Sequence, residues 1–181
     1  MTDLLDRLNR DHRVLTRVLD LFDGLLDQFH EGGAPDYELM CEMLAYMESY
    51  SDQIHHPSEE EIFDRLRART NENFPVLDLL TKQHQAISQM NKRFRRSLEG
   101  IVHEEVLRRD EVEVQGRELV KALREHLDLE ETDAFPLARE RLSASDWDEL
   151  FSEAQEGGDP LFGDADQERF RSLYRHLSEH S

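Results

Sequence analysis

Residues 119–137 read LVKALREHLDLEETDAFPL, and their pattern decides the fold of this chain. Residues three or four positions apart share one face of a helix, and the apolar residues here have that spacing. The apolar stripe continues through His126 and Glu130 before it returns to apolar side chains at Ala134 and Leu137. The stretch therefore predicts a helix whose core-facing side carries a histidine and, one turn later, a carboxylate.

The same interruption occurs in residues 44–62, where His55 and Glu59 stand inside an apolar stripe. Two more histidines, His12 and His84, each lie four residues after a leucine and three before the next apolar residue. His12 and His84 are 72 residues apart, and the two His-x-x-x-Glu pairs are 71 residues apart. We therefore expect the second pair of helices to repeat the first, with one histidine and one His–Glu pair from each half.

A second pairing is possible in the earlier stretch, because His56 and Glu60 are also four residues apart. Helix phase distinguishes the two pairings. At about 100° per residue, His55 falls within roughly 20° of Leu44 and Ile62, whereas His56 is roughly 120° away. The phase favours the pair that begins at His55, and the offset pair stays as the alternative.

Only 8 glycines and 5 prolines interrupt the chain, and the apolar spacing between them predicts helices. Asp36 is the expected N-cap of the second helix, and Pro75 lies in the first turn of the third. Long helices with short connections predict an all-α fold, an antiparallel up-down-up-down four-helix bundle. The four long helices are expected over about residues 3–30, 36–69, 73–101 and 111–141.

We divide the chain into a bundle over residues 1–142 and a short C-terminal helical extension over residues 143–181 that packs on it. The extension is predicted to contain a short helix that begins after Ser143 or Ser145. A last helix is predicted over about residues 164–180.

The composition excludes several classes of protein. Asp and Glu number 41 against 22 Lys and Arg, so the net charge is −19, which disfavours nucleic acid and anionic membranes as partners. The single cysteine, Cys41, excludes an internal disulfide and a multi-cysteine zinc site. No run of about 18 apolar residues occurs, and the N-terminus lacks a signal-peptide core, so we expect a cytoplasmic protein.

The inward polar residues indicate a metal site. A buried carboxylate is costly unless it is paired or binds a metal, and imidazole with carboxylate suits iron-type ions. Six such side chains exceed the four ligands of an ordinary zinc site and favour a dinuclear centre. Any one inward histidine alone is more often a satisfied core residue than a ligand. The predicted metal ligands are His12, His55, Glu59, His84, His126 and Glu130.

These motifs, followed by Phe135-Pro136, resemble those of the hemerythrin-like proteins, also called HHE cation-binding domains. The resemblance covers about residues 1–142. It implies a four-helix bundle that holds two Fe ions, bridged by the two carboxylates and by an oxo or hydroxo group, and it implies the same six ligands. The ligand types also allow Mn.

The sequence departs from the oxygen-carrying members in two places. Ser88 stands where those proteins have a fifth histidine, and the last helix has His126-x-x-x-Glu130 instead of H-x-x-x-x-D. Fewer permanent ligands leave coordination positions for O2, peroxide or NO. We therefore favour a protein that binds or reacts with such a small ligand, either as a peroxide- or NO-reactive oxidoreductase or as an oxygen or iron sensor.

The alternative is a regulatory or protein-interaction module that the metal pins together, without turnover. Five aromatic residues of the extension would supply its partner surface, namely Trp147, Phe151, Phe162, Phe170 and Tyr174.

We interpret several remaining residues as outside the site. Cys41 is expected to be a buried apolar residue, and Tyr46 and Tyr50 are expected to point away from His55. Glu60 and Glu131 are either solvated or orient a ligand histidine. The histidines outside the pattern are expected at the surface, with His56 alternatively beside the site; they are His30, His56, His103, His176 and His180.

Overall fold

The computed structural model describes residues 3–69, 72–153 and 169–179 of the 181, and within these ranges the regular structure is helical, with no strand. The all-α prediction is confirmed. The helices are α1 (Asp3–His30), α2 (Tyr37–Tyr50), α3 (His56–Arg69), α4 (Pro75–Val102), α5 (Arg109–Leu129), α6 (Phe135–Arg141), α7 (Ala144–Glu153) and α8 (Arg171–Glu179).

Two π-helical turns, Ser51–His55 and Glu130–Ala134, join α2 to α3 and α5 to α6. The second and fourth predicted helices are therefore each one continuous rod with a widened turn inside it. Proline explains both positions, because its ring clashes with the carbonyl four residues back and it has no N–H to donate. Pro57 and Pro136 each follow the end of a π turn by two residues, so that carbonyl lies within the turn.

The helix starts follow from local chemistry. The carboxylate of Asp36 accepts a hydrogen bond from the Leu39 N–H at 2.9 Å, which confirms Asp36 as the N-cap of α2. Helix α4 begins at Pro75, slightly later than residue 73, with Phe74 in the capping position. Proline is well suited to this first turn because its missing N–H would have no helical partner there.

The apolar residues form two separate clusters. The first lies mainly on α1, α2, α4, α5 and α8, and the second lies on the start of α1 and α4 and on α3, α6 and α7. Along α1, Leu8 belongs to the second cluster and Leu15 to the first, with His12 between them. Along α4, Leu80 and Ile87 are divided in the same way around a histidine. A buried polar layer therefore separates the two apolar clusters.

The C-terminal helices contact the rest of the protein. Trp147 of α7 packs in the second apolar cluster, and Phe170, just before α8, packs edge-on against Tyr46 with ring centroids 5.7 Å apart. The predicted last helix is observed only from Arg171 to Glu179, and residues 154–168 lie outside the described residues.

The partner surface predicted for the extension is wrong for two of its aromatic residues. Trp147 is 7% exposed and Phe170 is 0% exposed, because both are part of the protein's own core. Phe151 and Tyr174 are exposed, and Phe162 lies outside the described residues. No helix among the described residues is long and apolar enough to cross a membrane.

Candidate metal centre

Four histidine rings and two carboxylates meet in the polar layer. His55 is the last residue of the first π turn, and Glu130 is the first residue of the second. Both glutamates have no exposed surface, and the four predicted ligand histidines are all buried. The structure therefore brings all six predicted residues together, and π turns are frequent at functional sites.

The two glutamates lie at the middle of the cluster. Glu59 carboxylate oxygens lie 3.0–3.4 Å from the Nε2 atoms of three histidines, which are His12, His55 and His84. Glu130 has the corresponding contacts at 3.2–3.4 Å, with His12, His84 and His126. Each carboxylate therefore contacts histidines from both halves of the repeat, as a bridging group would.

Several of these central atoms have no hydrogen bond within the described part of the chain. They are Nε2 of His55, Nε2 of His126, and one Oε2 atom each of Glu59 and Glu130. A buried polar atom without a partner costs free energy, and native proteins satisfy most such atoms. Cations bound between these side chains would satisfy the lone pairs, so the donor set fits a metal site.

The outer nitrogen of each histidine contacts an acceptor. The Nδ1 atom of His55 lies 3.1 Å from an Asp11 oxygen, and that of His126 lies 3.0 Å from the Gln83 oxygen. The Nδ1 atom of His12 lies 3.0 Å from a Glu131 oxygen, and that of His84 lies 2.7 Å from a Glu60 oxygen. In the tautomer that carries its proton on Nδ1, each ring donates to its acceptor and directs the Nε2 lone pair at the centre. Glu60 and Glu131 thus make the contacts expected of groups that orient a histidine ring.

Asp11 and Gln83 were not predicted, although the sequence carries the signal that revealed the histidines. Each lies three residues after a leucine and four before the next apolar residue. They are also 72 residues apart, and Glu60 and Glu131 are 71 apart, so the acceptors follow the same internal repeat as the histidines.

The charges of the site favour a cation at its centre. Burial opposes protonation of His55, but Glu59 and Asp11 outweigh it and raise its pKa to about 10. Burial likewise opposes protonation of His84, and the carboxylates around it raise its pKa to about 11. Burial works against ionisation of Glu59, yet the surrounding imidazoles hold its pKa well below the usual range. These shifts favour positive charge between the carboxylates, as protons or as metal ions.

His56 is not at the surface, which corrects that expectation and confirms the alternative that it lies beside the site. It is 6% exposed, and its ring stacks on His84 with centroids 4.2 Å apart and planes 15° apart. Burial, and next the neighbouring His84, lower the pKa of His56 well below the usual range, so it stays neutral. The cause of the error is the π turn, which rotates the residues after it by roughly one extra residue relative to α2.

Tyr50 is also closer to the site than predicted. Its hydroxyl donates to Asp11 Oδ2 at 2.9 Å, and the same oxygen lies 3.1 Å from His55 Nδ1. The Tyr50 and His55 rings are 6.3 Å apart. Because a π turn brings residues five apart onto one face, Tyr50 lies on the same side as His55 instead of pointing away.

An open groove of about 710 Å3 between α3 and α4 reaches the cluster at His56 and His84. Ser88 and Asp52 both line it and are joined by a hydrogen bond of 2.6 Å across the groove. Ser88 therefore faces this groove. The groove gives small molecules a route from solvent to the histidine cluster.

The exposure of the other residues expected to lie outside the site is as follows. His30 and His103 are exposed, His176 is partly buried, and His180 lies outside the described residues. Cys41 is partly buried, and burial, with a contribution from Glu99, raises its pKa to about 11, as expected for an unreactive thiol.

Together these features define a helical-bundle protein with a buried histidine–carboxylate metal site. The sequence model of the hemerythrin HHE cation binding domain matches residues 3–138, and the chain belongs to this family. Comparison with curated proteins and with solved structures gave no match. Membership confirms the resemblance read from the sequence, and the two His/Glu groups of the structure fit the cation binding for which the family is named.

Proposed function

We propose that this protein is a non-haem di-iron protein that binds or reacts with O2, peroxide or NO. The observation that carries the proposal is the convergence of four Nε2 atoms on two buried carboxylates that have atoms without hydrogen bonds. Two iron ions would supply redox chemistry and coordination positions for a small ligand. Manganese is compatible with the same donors.

We assign His12 and His55 to one metal position, and His84 and His126 to the other. The first pair, with Glu59, places donor atoms within 4.8 Å of one another, and so does the second pair with the same glutamate. Glu59 and Glu130 would lie between the positions, because each contacts histidines from both pairs. The four outer acceptors hold the rings so that Nε2 faces inward.

The order of the apolar clusters supports an antiparallel up-down-up-down bundle. The chain passes from the second cluster to the first along α1, and back from the first to the second along α2 and α3. It repeats these directions along α4 and then along α5 and α6. Four rods that cross one polar layer in alternating directions would each contribute one inward histidine.

We place access of the small ligand in the groove between α3 and α4, since His56 and His84 form part of its lining. Asp52, Glu60, Glu61 and Asp64 also line it, together with one lysine, Lys92. This lining disfavours anions, so neutral O2, NO and hydrogen peroxide suit it better than anionic substrates.

The interaction-module alternative receives less support, because Trp147 and Phe170 pack inside the protein. Turnover distinguishes the two functions. A reactive centre consumes peroxide or NO repeatedly, whereas a module changes only its spectrum when the ligand binds.

The test is the iron content and the near-ultraviolet spectrum of the protein reconstituted with ferrous iron, for wild type and two variants. We expect about two irons per chain in the wild type and a loss of iron in His55→Ala and His126→Ala. His30→Ala is the matched control, because His30 is exposed and remote from the cluster. If both site variants keep two irons and full stability, the ligand assignment is wrong.

A further inference from the structure

The internal repeat is broken at His56, beside the site. Each predicted ligand and each outer acceptor has an equivalent residue in the other half of the repeat, which makes the same kind of contact. This holds for the four histidines, the two glutamates and the four acceptors. His56 has none, because the residue after His126 is Leu127. Leu127 is 7% exposed and packs in the first apolar cluster, as an ordinary core residue would. One half of the site therefore contains an extra imidazole.

That imidazole lies among the donors of one metal position. A donor atom of His56 is within 4.8 Å of donor atoms of Glu59, His84 and His126. Its ring stacks on His84 and stands nearly perpendicular to His126, with ring centroids 5.6 Å apart. The group that contains His12 and His55 does not include it. The extra ring thus belongs to the second position alone.

The surroundings do not explain His56 as an ordinary hydrogen-bonded core histidine. Its Nδ1 is 3.6 Å from Asp52 Oδ1, which is longer than a hydrogen bond. The other carboxylate oxygen of Asp52 already accepts from the Ser88 hydroxyl at 2.6 Å. Leucine fills the equivalent place in the other half, so the packing of such a bundle does not require a polar ring there.

We infer that His56 is a seventh metal-binding side chain, which gives the His84–His126 position a third imidazole and makes the two metal positions unequal. The inference rests on the proposed dinuclear centre. This assignment also puts a protein ligand at the inner end of the groove, between solvent and that metal.

The variant that tests this is His56→Leu, which gives the first half the residue found in the second. His103→Leu is the matched control, since His103 is exposed at the end of α4. Each protein is loaded with 57Fe, the iron is counted, Mössbauer spectra are recorded, and iron release to a chelator is followed. His56→Gln repeats the test with a polar side chain in case leucine impairs folding.

If His56 is a ligand, the wild type shows two distinct iron environments, which become more alike in His56→Leu. One of the two irons is then released roughly tenfold faster or more, and the His103→Leu control behaves as the wild type. Two irons with unchanged spectra and release rates in both His56 variants would overturn the inference while the dinuclear centre stands. A wild type that binds no iron would instead overturn the proposed function and this inference with it.

Discussion

Asp11 offers a sharp test of how the protein holds its ligand histidines. It is a buried carboxylate, and its Oδ2 receives the Tyr50 hydroxyl at 2.9 Å and His55 Nδ1 at 3.1 Å. Asp11→Asn preserves the size of the side chain but removes its charge and one of its two acceptor oxygens. In the wild type, the Asp11 carboxylate fixes the His55 ring and increases the basicity of its Nε2 atom, and the variant weakens both effects.

We expect Asp11→Asn to lower the iron affinity about 10–100-fold, the range found for groups that orient a ligand histidine. That range corresponds to about 1.4–2.7 kcal/mol. Tyr50→Phe should have a smaller effect, because the carboxylate still accepts from His55. The double variant should be less damaging than the sum of the two, since both changes act on one oxygen.

The assay is competition for ferrous iron with a chelator of known affinity, with helicity checked by circular dichroism. Asp6→Asn is the control, because Asp6 lies on the same helix and is exposed. If the two asparagine variants bind iron equally well, Asp11 does not position His55 and the reasoning fails.

Three further predictions concern the scaffold. Gly116→Ala should lower the free energy of unfolding by about 1–3 kcal/mol in denaturant melts, because the added Cβ would lie 2.6 Å from a leucine methyl. Gly24→Ala should raise the free energy of unfolding by about 0.5–1 kcal/mol, because Gly24 is exposed and the added Cβ would meet nothing within 4 Å. Burial would raise the pKa of Asp146, but hydrogen bonds from Ser143 and Arg69 hold it at about 2. Asp146→Asn should therefore melt at a lower temperature than the wild type near neutral pH, and this difference should disappear as the pH falls from about 4 to 2. Cys41, with its pKa raised to about 11, should react with iodoacetamide at pH 8 much more slowly than free cysteine.

Sequence periodicity was sufficient to predict the helices and the six converging residues. Residues on the buried face of a helix recur every three or four positions, and this spacing can be read from the sequence. Periodicity failed at His56 because the phase argument assumed an unbroken α-helix. His55 has the helical phase of Ile62 in α3, so it faces inward. The extra residue of the π turn gives His56 the phase of the inward residues of α2, so it faces inward as well. Both rings are buried for this reason.

The orienting contacts were harder to predict for a different reason. The spacing places Asp11 and Gln83 on the inward side of their helices, but which histidine each would contact depends on how neighbouring helices pack. Asp11 of α1 contacts the histidine that ends the first π turn, and Gln83 of α4 contacts one on α5. The internal repeat relates the two contacts to each other, because Asp11 corresponds to Gln83 and His55 to His126.

The division of the apolar residues into two clusters bears on how cooperatively the protein unfolds. A domain of this size ordinarily unfolds in one transition when a single continuous core joins all its parts. Here the two clusters meet across a layer of imidazoles and carboxylates, which α1 and α4 pass through. A metal bound in that layer would tie both halves of the molecule to the same few atoms. The metal content would then determine whether the two ends melt as one unit or separately, and not only how stable they are.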